Sequence, residues 1–172
     1  NQALAEIPNM WHSISATTRA PRAYEKEGVH YFFTGREVFE RQIAEKKFLE
    51  WAEVHGDYYG TPAEPVDEHL GAGCDVIMDL DFKGALQVKA ARLDAILIFI
   101  MPPSLEELRH RLTHRRAETE EQIERRLSIA EEEMSYKDKY DHVIVNDILQ
   151  EAFNKLAALI EDRRNAAGEK AP

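Results

Sequence analysis

The sequence predicts a three-layer α/β domain with a mainly parallel sheet, and three observations support this prediction. Segments with the period of a strand alternate along the chain with segments that have the period of an amphipathic helix. The most apolar segment, from Ala95 to Met101, is typical of a buried central strand. The length of 172 residues suits one domain, and 44% hydrophobic residues suffice for its core. We therefore expect residues 1–172 to form a single domain.

The composition excludes several classes of protein. The chain has 32 acidic residues against 22 lysines and arginines, and its formal net charge of −10 argues against a non-specific binder of nucleic acid or membranes. The single cysteine excludes an internal disulfide framework and fits a reducing compartment. The sequence has no membrane-spanning apolar run and no signal-peptide pattern, and its seven histidines lack the spacing of metal ligands. We expect a cytoplasmic protein with no metal-ligating side chains of its own.

In the first part of the chain, alternating and helical patterns follow one another closely. Thr34 and Glu37 are spaced as a capping box at the start of a helix. In chain order, the predicted elements are a helix end at 1–7, a strand at 10–16, a short aromatic run at 31–33, a helix at 34–47, a strand at 48–54, a tight turn at 56–62 and a helix at 63–72.

The second part of the chain continues this alternation. Ser104 and Glu107 form another capping box, and Thr119 is the predicted cap of the helix after it. The predicted elements are a short strand at 76–81, a helix that opens near Gly84, a strand at 95–101, helices at 104–112 and 119–134, a strand at 142–145 and a helix at 148–164.

Polar residues follow several of the predicted strands. In parallel sheets, ligands bind at the carboxyl ends of the strands. This rule places Ser15, Asp79, Asp81 and Asn146 along one edge of the sheet.

The first candidate site is a hydroxyl-rich run that ends in two arginines, Arg19 and Arg22, with Pro21 between them. Arginine binds phosphate or carboxylate in a bidentate manner, and the neighbouring hydroxyls can donate to the same oxygens. The run therefore indicates an anion site. A solvated polar loop is the alternative.

A second candidate group lies between residues 48 and 61. Glu50 has apolar and aromatic neighbours, and a partly desolvated carboxylate can accept hydrogen bonds from the amide and amino edge of a guanine-like base. Tyr58, Tyr59 and Thr61 offer two phenolic hydroxyls and a threonine hydroxyl in one turn, and these can bind a phosphate together with the two arginines. The alternatives are a strand glutamate that faces water and a tyrosine pair that serves only packing.

Two further groups of charged residues have a possible chemical role. Asp79 and Asp81 share a face at a strand end, where they could orient a Mg²⁺-bound water or a ribose hydroxyl, or cap the next helix. A polar link between two helices has the makeup of a lid that brings positive charge over a phosphoryl group. Its arginines are Arg111, Arg115, Arg116, Arg125 and Arg126. An exposed helix face with glutamate counter-charges is the alternative and would explain Arg116 and Arg125.

Taken together, these segments closely resemble guanylate kinase. The resemblance covers nearly the whole chain in the order of the family. The matching runs are Ser15–Arg22, Gly28–Phe33, Phe48–Gly56, Tyr58–Thr61, Asp79–Ala85, Ile98–Ser104 and Tyr140–Asp147.

The resemblance implies a P-loop kinase-like fold with a core at 1–16 and 74–172, a β-rich GMP-binding subdomain at about 17–73 and a helical lid at about 111–135. It implies that the phosphate of GMP is bound by Ser15, Arg19, Arg22, Tyr31 and Tyr59. It implies that guanine is recognised by Glu50, Thr61 and Asp79. Arg115 and Arg126 would be the catalytic lid arginines, and the ATP side would comprise Asn146, Arg111 and Asp81.

Some features differ from the family pattern. The loop G-x-x-x-x-G-K-[ST] does not occur in the sequence, and we expect the chain to open within the helix that normally follows it. Lys83 stands where the family usually has glutamine, and Arg116 where a lid glycine is usual.

The function implied by the resemblance is the ATP-dependent phosphorylation of GMP to GDP in purine nucleotide metabolism. Mg²⁺ would accompany ATP. dGMP is a second candidate for the phosphoryl acceptor. The protein would be a monomer or a homo-oligomer. The alternative is a guanylate-kinase-like module that binds protein partners and has lost catalysis.

Overall fold

The computed structural model describes residues 2–114 and 119–168, which divide into two compact units, one up to Ala95 and the other from Ile96 onwards. In the first unit the elements are α1 (Gln2–Glu6), β1 (Met10–His12), β2 (Ala16–Thr17), β3 (Phe32–Phe33), α2 (Arg36–Ala44), β4 (Phe48–Val54), β5 (Asp57–Pro62), α3 (Ala63–Gly71), β6 (Asp75–Ile77) and α4 (Phe82–Ala91). In the second they are β7 (Ile98–Met101), α5 (Leu105–His114), α6 (Glu120–Ser135), a 3₁₀ turn (Lys137–Lys139), β8 (His142–Val145) and α7 (Leu149–Gly168).

Each unit combines helices with a parallel strand pair. In the first unit β1 pairs with β6 in parallel, and in the second β7 pairs with β8 in parallel, with Ile98 opposite His142. The predicted α/β class with parallel sheets is therefore confirmed. No helix within residues 2–114 and 119–168 is long and apolar enough to cross a bilayer.

The single strand predicted at 10–16 is wrong, because this segment forms two short strands that belong to different sheets. β1 pairs with β6, whereas β2 belongs to a four-stranded sheet of order β3-β2-β5-β4. The N–H of Ser13 still donates to the carbonyl of Ile77 at 3.0 Å, but the carbonyl of Ser15 accepts from Phe32 at 2.9 Å. The segment 13–15 thus delivers the chain from one sheet to the other.

The predicted tight turn at 56–62 is also wrong, because most of this segment is strand β5. Only His55 and Gly56 form the turn, and their φ angles of 54° and 87° match the two-residue turns that connect hairpin strands. Gly60 lies within β5 at a position that requires glycine, because a Cβ there would approach the backbone oxygen of Glu50 to 2.8 Å. Its role is to allow β4 and β5 to lie close together.

Two predicted helix caps form in the second unit, and one predicted capping box in the first unit does not. Thr119 and Gln122 form a reciprocal capping box at the start of α6, and the Ser104 hydroxyl accepts from the N–H of Glu107 at 3.1 Å. The predicted box of Thr34 and Glu37 does not form, because α2 begins one residue later, after Gly35. The N–H of Thr34 instead donates to Thr17 and extends the sheet.

Separate apolar clusters stabilise the two units. In the first, Leu49, Val66 and Val88 are buried together, which fixes β4 against α3 and α4. In the second, Leu112 of α5 packs with Ile123 and Leu127 of α6. The strand predicted at 95–101 begins only at Ile98 and is not fully buried, since Ile100 is 55% exposed.

Candidate functional site

Arg19 lies at the centre of a cluster that includes both predicted tyrosines. Its Nε donates to the hydroxyl of Tyr59 at 3.2 Å, and its Cζ lies 5.6 Å from the centre of the Tyr31 ring. The rings of Tyr31 and Tyr59 meet edge to face, with centroids 6.0 Å apart. The structure therefore brings together three residues that the sequence assigned to one anion site.

Glu25, which was not predicted from the sequence, binds both arginines of this loop through its carboxylate. Glu25 accepts from Nη2 of Arg19 at 2.8 Å and from the backbone N–H of Arg22 at 2.7 Å. The hydrogen bond to Glu25 is the largest cause of the raised pKa of Arg19, which therefore stays protonated. The signal that could have identified it is an acidic residue three positions after Arg22 in the arginine loop.

The arginine loop is anchored by the two threonines that precede it. The hydroxyl of Thr17, which is fully buried, donates to the carbonyl of Tyr58 at 2.9 Å and accepts from the N–H of Arg19 at 3.2 Å. The hydroxyl of Thr18 accepts from the N–H of Tyr58 at 2.9 Å. These hydroxyls were expected to donate to a bound anion, but the Thr17 hydroxyl donates to a backbone carbonyl and the Thr18 hydroxyl donates to Oδ1 of Asp57 at 3.3 Å, which fixes the loop to β5. Ser15, half-buried, precedes them.

Glu50 is buried by an irregularity in the hairpin. The register of β4 against β5 shifts between Phe48 and Glu50, so that Leu49 and Glu50 are both buried instead of alternating. The side chain of Thr61, itself fully buried, donates to Oε1 of Glu50 at 2.6 Å. Burial raises the pKa of Glu50, and the hydrogen bonds from Thr61 oppose this rise. The predicted desolvation of Glu50 is confirmed: the residue is 8% exposed.

The Glu50–Thr61 pair and the arginine cluster occupy one face of the four-stranded sheet. Thr61 and Tyr59 are two residues apart on β5, and side chains two apart along a strand share a face at a spacing of about 7 Å. The sheet therefore presents a polar, desolvated carboxylate beside a cationic cluster. Such a surface suits a ligand with a hydrogen-bonding ring at one end and an anion at the other.

Asp81 and Gly84 bring the start of α4 to the same carboxylate. Oδ1 of Asp81 accepts from the N–H of Gly84 at 2.7 Å, so Asp81 caps α4, as the structural alternative for this residue anticipated. A Cβ on Gly84 would lie 3.3 Å from Oε2 of Glu50 and 3.3 Å from Oδ1 of Asp81. The nearby charge of Asp81 also contributes to the raised pKa of Glu50.

Replacing Gly84 with alanine is expected to weaken use of a ligand held by Glu50 by about 10-fold in KM, since small displacements of a positioned group have large effects. The new methyl group must push the Glu50 carboxylate aside, while alanine favours the helix by about 1 kcal/mol. Steady-state kinetics of Gly84→Ala should therefore show a raised KM, whereas its thermal unfolding should show little change in stability. Gly71→Ala is the matched control, because a Cβ on that helical glycine meets nothing within 4 Å. Equal KM values in both variants would contradict this account of Gly84.

The carboxylate of Asp79, unlike the buried carboxylate of Glu50, is exposed to solvent. Its side chain is 88% exposed, and its Oδ2 lies 3.2 Å from Nε2 of His12. Asp79 follows β6 and His12 is the last residue of β1, so the pair lies at the carboxyl ends of two parallel strands. His12 is a second residue that the sequence analysis missed.

In the second unit, the structure brings two of the predicted residues together. Nη1 of Arg111 donates to the carbonyl of Asn146 at 2.7 Å, and its Nε donates to Glu107 at 2.7 Å. Arg111 thereby holds the segment that follows β8. Arg126 lies on the exposed side of α6, whereas Arg115 and Arg116 lie outside the described residues. Arg109, which was not predicted, links α5 to α6 through Glu120 and Glu124 at 3.0 and 2.6 Å.

Comparison with known proteins gives a consistent result. The family model described as "Guanylate kinase" matches residues 1–163. The chain is 49% identical over 153 residues to guanylate kinase of Carboxydothermus hydrogenoformans, covering 89% of this chain and 75% of the relative. It is 46% identical over 166 residues to guanylate kinase of Rubrobacter xylanophilus, covering 96% and 86% of the two chains.

A solved structure shares the fold. The crystal structure of guanylate kinase from Anaplasma phagocytophilum matches with a TM-score of 0.72 and 34% identity, over 94% of this chain and 79% of that one. This match confirms the P-loop kinase-like α/β fold predicted from the sequence.

Proposed function

The chain belongs to the guanylate kinase family, and we propose how its residues bind GMP and promote its phosphorylation by ATP. The enzyme is a nucleoside monophosphate kinase that transfers a phosphoryl group from ATP to GMP in purine nucleotide metabolism. The observation that carries the proposal for the acceptor side is the shared sheet face of the Arg19 cluster and the buried Glu50–Thr61 pair.

The phosphate of GMP is bound by the arginine cluster. Arginine presents a planar fork of N–H donors that matches phosphate oxygens, and the tyrosine hydroxyls beside it add further donors. The contacts of Arg19 with Tyr59 and Tyr31 support this assignment. The proposed phosphate ligands are Ser15, Arg19, Arg22, Tyr31 and Tyr59.

The base is recognised by Glu50, Thr61 and Asp79. Guanine offers N–H donors at N1 and at the 2-amino group, and an ionised carboxylate is an acceptor only. Adenine has an acceptor at N1, so a buried carboxylate there repels it and leaves polar groups unpaired. The burial of Glu50 supports it as the principal determinant, whereas the exposed Asp79 would contribute a weaker contact.

The transfer step needs positioning and charge neutralisation more than covalent chemistry from side chains. An oxygen of the GMP phosphate attacks the γ-phosphorus of ATP in line, and ADP leaves. Arg115 and Arg126 are proposed to neutralise charge between the two nucleotides. Asn146, Arg111 and Asp81 are proposed for the ATP side, with Arg111 acting through the segment that it holds after β8.

Mg²⁺ is proposed to arrive with ATP. Among residues 2–114 and 119–168, no group of three His, Cys, Asp or Glu side chains could hold a metal ion. In kinases Mg²⁺ keeps several waters and takes other ligands from phosphate oxygens, so it needs few ligands from the protein. When bound, Mg²⁺ neutralises charge on the transferred phosphoryl group.

A coupled assay tests the proposal. The chain is joined to a segment with the family's G-x-x-x-x-G-K-[ST] loop, which its 172 residues do not contain, and is incubated with ATP, Mg²⁺ and GMP. The formation of ADP and GDP is followed by the oxidation of NADH through coupling enzymes. We expect turnover that depends on GMP and does not occur when AMP replaces it. If no GDP forms from ATP and GMP, the proposed function is wrong. The same assay with dGMP decides whether that nucleotide is accepted.

A further inference from the structure

Glu25 is unusual among the residues of its loop because its carboxylate is almost completely enclosed. The side chain is 4% exposed, although the loop residues on either side of it are exposed. Both carboxylate oxygens are used: Oε1 accepts from Nη2 of Arg19 at 2.8 Å and Oε2 from the backbone N–H of Arg22 at 2.7 Å. One side chain therefore ties together the two arginines assigned to the phosphate.

This arrangement constrains both arginines at once. An enclosed carboxylate is stable only when it is paired and hydrogen-bonded. The hydrogen bond from Arg19 and then that from the N–H of Arg22 lower the pKa of Glu25, so the group is ionised at neutral pH. Held on one side by Glu25, the Arg19 guanidinium directs its Nε to the hydroxyl of Tyr59 at 3.2 Å.

An anion beside a phosphate-binding arginine can have either of two opposite effects. It can orient the arginine, or it can occupy the place of the phosphate and compete with it. Two contacts favour orientation. Glu25 bonds Arg22 through the backbone and not through the guanidinium, which instead donates to the hydroxyl of Tyr24 at 3.1 Å. On Arg19 it engages one of the five N–H groups that a guanidinium has.

We propose that Glu25 is a positioning residue for GMP, which holds the Arg19 guanidinium and the Arg22 backbone in the geometry that binds the acceptor phosphate. The proposal rests on the proposed function, since it needs GMP as the ligand of the arginine cluster. Glu25 itself touches neither the base nor the reacting atoms in this account. Its effect is therefore confined to recognition of the phosphate.

The test compares GMP with guanosine, which has the same base and ribose but no phosphate. Equilibrium titrations are made with the unchanged protein, Glu25→Gln, Glu25→Ala and Glu27→Gln. Glu27→Gln is the matched control, because Glu27 lies in the same loop and accepts from the N–H of Phe33 at 2.9 Å. We expect Glu25→Gln to weaken GMP binding about 10-fold, Glu25→Ala to weaken it more, and guanosine binding to stay within about twofold.

The ratio of the two affinities separates positioning from a general loss of structure. A partly unfolded variant loses GMP and guanosine binding in the same proportion, so an equal loss of both overturns the proposal. Tighter GMP binding by Glu25→Gln would mean that the carboxylate competes with phosphate, and unchanged GMP binding would mean that it has no role; either result overturns the proposal. Failure of the unchanged protein to bind GMP would instead overturn the proposed function, and this inference with it.

Discussion

The Glu50→Gln variant is expected to lose about 100-fold in kcat/KM for GMP while its KM for ATP is unchanged. The carboxylate accepts two hydrogen bonds from guanine in the proposed complex, and hydrogen bonds to charged groups contribute about 1.5–3 kcal/mol each. Glutamine keeps the size of the side chain but presents an N–H group where guanine has its own donors. Steady-state kinetics with GMP and ATP varied in turn measure the effect.

The same variant should be more stable than its parent at neutral pH. Burial raises the pKa of Glu50 above its ordinary value, so the folded state binds the proton more tightly than the unfolded state does. The unfavourable free energy of the buried charge is present above the raised pKa and disappears as the pH falls below the ordinary value. Thermal unfolding should therefore show a gain for Glu50→Gln at pH 7 that shrinks as the pH is lowered through this range.

The matched control for both measurements is Glu53→Gln, which changes an exposed carboxylate of the same strand. Unaltered GMP kinetics in Glu50→Gln would exclude Glu50 as the base-recognition residue. Lower stability at neutral pH would show that the buried carboxylate is stabilised by its hydrogen bonds more than it is destabilised by burial.

The Arg19→Ala variant is expected to lose about 10³-fold in kcat/KM for GMP, since two charge-assisted bonds to phosphate are removed. It also leaves Glu25 enclosed without its cation, and an unpaired buried charge is strongly destabilising. Arg19→Lys should recover only part of the activity, because lysine keeps the charge but lacks the fork that donates to both Tyr59 and Glu25.

Arg41→Ala is the control for Arg19, because Arg41 is an exposed arginine of α2 outside the proposed site. It should keep the kinetics and stability of the parent. An Arg19→Ala variant with parental KM for GMP and parental melting temperature would contradict both the phosphate assignment and the role of the Arg19–Glu25 pair.

Elements with a strong local pattern could be predicted from the sequence. Strand β4 occurs from Phe48 to Val54 and β8 from His142 to Val145, as expected, and Thr119 caps its helix. Periodicity and caps are properties of neighbouring residues, so they are visible without tertiary contacts. The resemblance to a known family also led to the correct α/β fold.

The errors arose where a partner distant in the sequence decides the local structure. Gly60 suggested a turn, but its missing side chain is needed for the approach of β4. Thr34 has the pattern of a cap, but its N–H is taken by Thr17, 17 residues away along the chain. The break between β1 and β2 reflects two different sheet partners, Ile77 and Phe32.

In the candidate site, residue types were informative but their partners were not. The sequence indicated that Arg19 and Glu50 could bind a nucleotide, but not that the enclosed Glu25 pairs with Arg19 or that Gly84 lies against the buried carboxylate. The burial of Glu50 depends on a shift of register at Leu49, which no sequence period reveals. The roles of all the site residues, Arg19 and Glu50 included, stay predictions.

The central claim is that one face of the four-stranded sheet binds a guanine nucleotide through Glu50 and the Arg19 cluster. An equilibrium titration of the protein with GMP and with AMP tests this claim most directly. We expect GMP to bind at one site per chain and AMP to bind at least about 100-fold more weakly, because the adenine ring presents an acceptor to the Glu50 carboxylate. Equal affinity for AMP and GMP would contradict it.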